Sequence, residues 1–271
     1  MRALIFSGAQ RVDAIDPADR GLAYGDGVFE TMRAHRGDVP WWPAHWQRLL
    51  RGAHVLGLPV PDESRAHDEA LQLLDGSDGV LKLLLTRGAG GRGYAPPVDA
   101  TPTWILSDHP LPAAAPADGL TVRWCDTTLA IQPMLAGLKH CNRLEQVLAR
   151  GEWSDGSIHE GLMCSTDGDV VCATAANLFV LRDGRWLTPP VDRCGVAGVC
   201  RAWARDALTA SEARLAVIDV EAADAVFLCN AVRGILPVAR LGARSWRPHP
   251  QVAQLQRHLA AEHPAFATEV A

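Results

Sequence analysis

The sequence predicts an α+β protein of two domains, with mixed sheets and flanking helices, and three observations carry that reading. Strand-like runs come in blocks and do not alternate one by one with helices, which argues against a doubly wound parallel sheet. With 271 residues, 48% of them hydrophobic and 21% charged, the chain is long and apolar enough for one large core or two smaller ones. A stretch rich in proline and alanine, SDHPLPAAAPADG at 107–119, has no hydrophobic period and reads as a connection. The expected division is a smaller α/β domain at 1–112, a linker at 113–119 and a larger domain at 120–271.

Taken in order, Ala3 to Phe6 and Arg11 to Ile15 read as short strands on either side of Gly8, and GDGVFETMRA as a turn entering a strand. In PAHWQRLLRGAHVLG, residues Trp46, Leu49, Leu50, Ala53 and Leu56 recur at helical spacing, so one face of a helix is apolar. DESRAHDEALQLL reads as a second helix leading into the strand VLKLLLT. Beyond the linker come LTVRWCDTTL and a helix from about Asn142 with Leu144, Val147 and Leu148 on one side. The strands GLMCST, VVCAT, ANLFVLR and RWLTP follow, broken by the turns DGD and RDGR. A helix AGVCRAWARDALTA, the strands LAVIDV, AVFLCN and ILPVARL, and a helix from about Pro250 to Ala261 complete the series.

The formal net charge of −5 offers no basic footprint for nucleic acid. No apolar run reaches the ~20 residues that span a bilayer, and the first residues are too short an apolar stretch for a secretory signal. Seven cysteines, odd in number and without a CxxC pair, fit a reducing cytoplasm. No HExxH or CxxC spacing points to a metal, and no GxSxG elbow to a serine hydrolase. Gly88-Ala-Gly90-Gly-Arg-Gly93 is literally GxGxxG, but Pro96 and Pro97 follow where a dinucleotide-binding helix would have to open. The same segment reads better as a Gly-rich arm that brings Arg87, Arg92 and backbone amides near an anionic substrate. Lys82 and Lys139 are the only lysines. Lys139 ends an apolar stretch before an amphipathic helix, where partial desolvation would make an amine nucleophilic towards an aldehyde; by position alone a solvated lysine is the commoner alternative. Lys82, among leucines, reads as the polar face of a half-buried strand.

Seven segments in this order resemble the fold-type IV family of pyridoxal-phosphate enzymes, whose members include D-amino-acid and branched-chain aminotransferases and aminodeoxychorismate lyases. They are DRGLAYGDGVFETMR (19–33), HWQRL (45–49), TRGAGGRGY (86–94), LKHCNRLEQVLAR (138–150), ATAANLF (173–179), GVAGVCR (195–201) and FLCNAVRGILPV (227–238). NRLEQV after the lysine and the RGxGGRGY arm are similar to the lyases in particular.

The resemblance implies a fold like that of D-amino-acid aminotransferase, with the larger domain binding pyridoxal 5′-phosphate. It implies Lys139 as the lysine that bonds the cofactor's aldehyde, Arg48 on its phosphate, the amides of Val199 and Cys200 completing the phosphate cradle, and Asn177, Asn230 and Ala231 beside it. Thr31 would lie close to the cofactor and help proton transfer, although a threonine there is also an ordinary strand former. The substrate's two carboxylates need cations, and Arg87, Arg92 and Arg143 are the candidates; the alternative for each is a surface or interface arginine. Five residues before Asn177, where the family carries a glutamate on the pyridine nitrogen, stands Cys172. A neutral thiol makes the cofactor a weaker electron sink, which suits a lyase whose product is aromatic better than it suits an aminotransferase. A pyridoxal-phosphate protein without catalysis is the remaining alternative. The resemblance also implies a homodimer.

Overall fold

A computed structural model describes residues 1–267. The chain divides into two compact units, Met1–Pro112 with Leu138–Asn142, and Ala113–Gly137 with Arg143–Ala271.

In the first unit, β1 (Ala3–Ser7) and β2 (Gln10–Val12) form a hairpin through Gly8. The strand expected at 11–15 stops at Val12, and the chain then turns at Asp16, whose side chain accepts the Ala18 N–H. A five-residue helix without a sequence period follows, α1 (Arg20–Tyr24). It is made by its ends: the Asp19 side chain accepts the Gly21 N–H, and Gly25 closes it in the left-handed region at φ 64. Then come β3 (Gly27–Ala34), α2 (Trp42–Leu56), α3 (Glu63–Leu74), β4 (Gly79–Thr86) and β5 (Thr103–His109).

The strands pair antiparallel in the order β2-β1-β5-β4-β3. One face of this sheet packs on α2 and α3. Trp46, Leu49 and Ala53, the predicted stripe of α2, are buried there with Met32, Leu81, Leu83 and Trp104, and Phe6 stacks on Trp104 at 3.8 Å. Leu138–Asn142, expected in the domain at 120–271, belongs to this unit because it lies along the outer edge of β3. The Phe29 N–H donates to the Lys139 carbonyl, and the Cys141 N–H to that of Gly27, both at 2.9 Å.

The second unit opens with β6 (Leu120–Trp124) and α4 (Leu144–Arg150). Next come β7 (Glu160–Cys164), β8 (Val170–Ala173), β9 (Asn177–Arg182) and β10 (Arg185–Thr188). They are followed by α5 (Val199–Leu208), β11 (Ser211–Glu212), α6 (Val217–Glu221), β12 (Ala225–Asn230), β13 (Gly234–Leu241), β14 (Arg244–Ser245) and α7 (Pro250–Glu262). The sheet runs β11-β10-β9-β12-β13-β6-β7-β8, with β14 on β13. It is mixed, since β13 with β6 and β6 with β7 are parallel. Its core gathers Leu120, Leu162, Leu178, Val180, Leu228 and Leu236.

One expectation changes here. LAVIDV is no strand beyond Leu215, whose carbonyl accepts the Val170 N–H at 2.8 Å. The residues after it turn into α6 because Asp219 accepts the Ala216 N–H at 2.8 Å and is itself bound by Arg182, so a local side-chain cap overrides the strand pattern. The apolar side of α4 is present but uncovered: Leu144, Val147 and Leu148 are 75%, 63% and 64% exposed. No helix among the described residues is long and apolar enough to cross a membrane.

Candidate active site

Lys139 sits in the first unit on the segment bonded to β3, with its Nζ 4.3 Å from the centre of the Phe29 ring. That hydrogen bonding fixes the lysine's backbone against the sheet, so the amine starts from a rigid strand edge. Thr31 is half-buried on β3, directly opposite Lys82 on β4.

On the other face of β3 the sequence carries a residue whose role periodicity does not reveal. Glu30 is 1% exposed among apolar neighbours, and it is paired: Arg48 Nε donates to Oε1 at 2.8 Å, Arg48 Nη2 to Oε2, and His45 Nδ1 approaches Oε2 at 2.6 Å. Burial alone would push the carboxyl up, but the Arg48 charge and hydrogen bonds and the His45 hydrogen bond outweigh it and hold Glu30 down to about 2. Burial lowers His45, against the pull of Glu30, so the ring is neutral near pH 7 and gives its one N–H to the carboxylate. His45 Nε2 is then a buried acceptor with no partner. Arg48 therefore has its charge balanced by Glu30 within this unit. The available signal was a glutamate at an inward position of an alternating strand, with His45 and Arg48 three apart on one helix face.

The Gly-rich segment after β4 is a loop, as Pro96 and Pro97 require. Gly88 lies at φ +90, and a Cβ there would meet the Thr101 carbonyl at 1.8 Å, so only glycine fits. Arg87 is turned inward: Nε and Nη2 hold Asp26 at 2.7 and 3.1 Å, and Nη1 and Nη2 reach the carbonyls of Gly57 and Leu56 at 2.7 and 2.6 Å. These bonds tie β4 to the C-terminal end of α2 and turn the guanidinium away from solvent. Arg92 is exposed. The arm is held by Arg20, which is 4% exposed and donates to the carbonyls of Gly93 and Tyr94 at 3.0 Å, while its Nε grips Asp26 at 2.9 Å. Burial raises the Asp26 carboxyl, but hydrogen bonds and charge from Arg87 and Arg20 win and keep it below the ordinary range. DRGLAYGD is thus the socket of the arm.

In the second unit a cradle forms where β9 begins and β12 ends. Asn177 pairs with Cys229 across the strands, and its Nδ2 donates to the Val196 carbonyl at 2.9 Å. Asn230 Oδ1 accepts the N–H groups of Val232 and Arg233 at 3.0 and 2.8 Å, shaping the turn that contains Ala231. Over these ends lies the start of α5, whose N-cap is Gly198 and which no side chain caps. A Cβ at Gly198 would meet Asn177 Oδ1 at 2.1 Å, so close approach demands glycine. An uncapped ten-residue helix whose first amides are those of Val199 and Cys200 fits an anion such as a phosphate.

Cys172 lies on β8, opposite Met163 of β7, and burial pushes its thiol up to about 12, with Cys194 and Glu160 adding to the rise and Arg143 opposing it. It is a neutral thiol near pH 7. Arg143, half-buried, precedes the first residue of α4.

Comparison with known proteins fits this architecture. Residues 27–241 match the family model for amino-transferase class IV. The chain is 35% identical over 251 residues to the aminodeoxychorismate lyase of Vibrio harveyi, covering 89% of this chain and 92% of that protein. It superposes on the crystal structure of the 4-amino-4-deoxychorismate lyase of Pseudomonas aeruginosa with a TM-score of 0.89 and 40% identity, over 96% of this chain and 99% of that one. The branched-chain amino acid aminotransferase of Escherichia coli shares the fold at TM-score 0.85 and 20% identity, over 98% of this chain and 96% of that one.

Proposed function

Because this chain belongs to the class IV aminotransferase family, we propose that it is a pyridoxal 5′-phosphate-dependent carbon-oxygen lyase that converts 4-amino-4-deoxychorismate to 4-aminobenzoate and pyruvate, a step towards folate. The observation that carries the choice is the 35% and 40% identity to two such lyases over about nine-tenths of the chain. Cys172 argues the same way against transamination, since a neutral thiol cannot hold a pyridinium as a carboxylate does.

Pyridoxal phosphate, when bound, supplies an aldehyde for the substrate's amine and a ring that spreads the electron pair left when a neighbouring carbon loses its proton. The chain's own groups do the rest. Val199 and Cys200 would donate their amides to the cofactor's phosphate, with Asn177, Asn230 and Ala231 shaping that cradle. Arg48, oriented by Glu30, would be a cation for the same group. Lys139 would hold the cofactor, and its amine would take the proton from the ring carbon bearing nitrogen. The departing enolpyruvate becomes pyruvate on protonation, and the ring left behind is aromatic. Thr31 stands beside this proton transfer, and Arg92 and Arg143 are cations for the substrate's carboxylates. Arg87 keeps that assignment only if substrate displaces Asp26.

The protein acts as a homodimer, which the exposed stripe of α4 supports, and in the cytoplasm, which suits seven cysteines that form no disulfide among the described residues. The test supplies aminodeoxychorismate with cofactor and assays 4-aminobenzoate and pyruvate, with D- and branched-chain amino acids offered in parallel. Both products form in equal amounts, and Lys139→Ala makes neither while keeping its fold by circular dichroism. Keto-acid-dependent turnover of amino acids without 4-aminobenzoate would favour the aminotransferase.

A further inference from the structure

In the second unit, α5 begins at the cradle and ends beside a cavity that the proposed reaction does not use. That cavity, of about 580 Å³, lies between the last turn of α5, the turn from β9 to β10, and α7. The ten residues of α5 put it about 15 Å from the cradle. It exists because β11 is only two residues long. The helix closes at Thr209 in the left-handed region, φ 50, and β11 then pairs with Leu187 and Thr188 alone, so no strand covers β10 beside Arg185 and Trp186. The floor is apolar and fixed: Trp186 donates its Nε1–H to Gln251 Oε1 at 3.0 Å and sets its ring edge-on to Phe227 at 5.0 Å, and Leu208 and Leu255 complete the surface. The rim is polar. Gln251, its oxygen engaged, presents amide N–H groups, and the side chains of Gln254 and Arg185 make no hydrogen bond or ion pair among the described residues. Among these residues no carboxylate lines the cavity, since Glu262, further along α7, holds Trp203 and His258, and Asp206 pairs with Arg205 at 3.9 Å. A flat apolar floor, an unopposed guanidinium and two amides match an aromatic carboxylate, and the volume admits two fused rings.

We propose that this cavity is a second ligand site, which takes an aromatic carboxylate with its ring on Trp186, Leu208 and Leu255 and its charge on Arg185 and the amides of Gln251 and Gln254. The class includes 4-aminobenzoate, so on the lyase reading the protein's own product is a ligand; the site itself stands without that reading. Its occupant packs on Leu208, the last residue of the helix whose first amides face the phosphate. Two ligands that order the same helix from opposite ends favour one another's binding, and by the same factor. A filled cavity therefore tightens the hold on pyridoxal phosphate.

The test titrates 2-naphthoate and 4-aminobenzoate into the holoenzyme by calorimetry, with 2-naphthamide as the uncharged control. Naphthoate binds at least about tenfold tighter than the amide, the worth of one charged hydrogen bond. Arg185→Gln and Gln254→Glu, both at exposed positions, each weaken naphthoate at least about fivefold while kcat and the melting temperature stay as in wild type. Photolysed 4-azidobenzoate, mapped by peptide, attaches within 207–211 or 251–258. Saturating naphthoate lowers the Kd of pyridoxal phosphate at least about threefold in wild type and leaves it unchanged in Gln254→Glu. Equal affinity for acid and amide, unaltered binding in both variants, or a label confined to peptides with Thr31 or Lys139 would overturn the site. A cofactor Kd that ignores naphthoate in wild type would overturn the link along α5. A wild type that makes no 4-aminobenzoate from aminodeoxychorismate would sink the lyase reading instead, while the naphthoate titrations would still decide for or against the cavity.

Discussion

Glu30 shows how one buried charge can be held at a strand position among apolar neighbours. Its carboxylate is 1% exposed, and its stability rests on the donors of Arg48 and His45. Removing one partner of a buried pair costs about 3–5 kcal/mol, because the other is left uncompensated. Glu30→Gln is therefore expected to lower unfolding stability by about 3 kcal/mol in urea titration, by that rule. The pH dependence follows from the direction of the shift. The folded carboxyl titrates at about 2 against an ordinary 4.5, so its contribution is complete above pH 4.5 and fades as pH falls from there towards 2. Denaturation followed between those limits checks this, the variant showing the flatter profile. At this scale the sequence was legible where a motif sets the local backbone, as in the loop that Gly88 opens and Pro96 and Pro97 keep from becoming a helix. It was opaque for Glu30, whose meaning comes from His45 and Arg48 on a helix further along the chain.

Elements were legible where periodicity and burial agree, as in α2, whose predicted stripe of Trp46, Leu49 and Ala53 is in the core. They were misread where a short-range side-chain bond decides, as in α6 with its Asp219 cap, and missed where the element is only one turn and a half, as in α1. The arm illustrates a third case: its conformation is set by Arg20, far from it in sequence, bonding to successive carbonyls. Arg20→Gln loses the charge that bridges Asp26 to the arm, and Arg92 lies at the arm's exposed tip. Trypsin should consequently cut after Arg92 at least about threefold faster in this variant, as expected when a local opening becomes easier. Equal cleavage rates would show that Arg20 does not restrain the arm.

For the molecule as a whole, the two-part, mixed α+β architecture could be read from blocks of strands and a proline-rich stretch, while the return of 138–142 to the first unit could not. No local pattern announces a segment whose pairing partner lies about a hundred residues earlier. The amphipathic pattern of α4 leaves Leu144, Val147 and Leu148 exposed, a face that a second copy of the chain could cover. If a second copy does, replacing Leu144 and Leu148 by glutamate puts charges into a dry interface. Sedimentation equilibrium should then report a dimer for wild type and a monomer for the double variant. A monomeric wild type would remove the inference.

The strip of five residues bonded along β3 also bears on how such a protein can be divided or recombined. A fragment ending at 112 would keep the first unit's helices and all five of its strands, yet it would bare the Phe29 amide and the Gly27 carbonyl along an open border. Swapping either half for a relative's would import or discard that tongue along with the rest. The Lys139 amine is inherited with one half of the gene and rests on the scaffold encoded by the other.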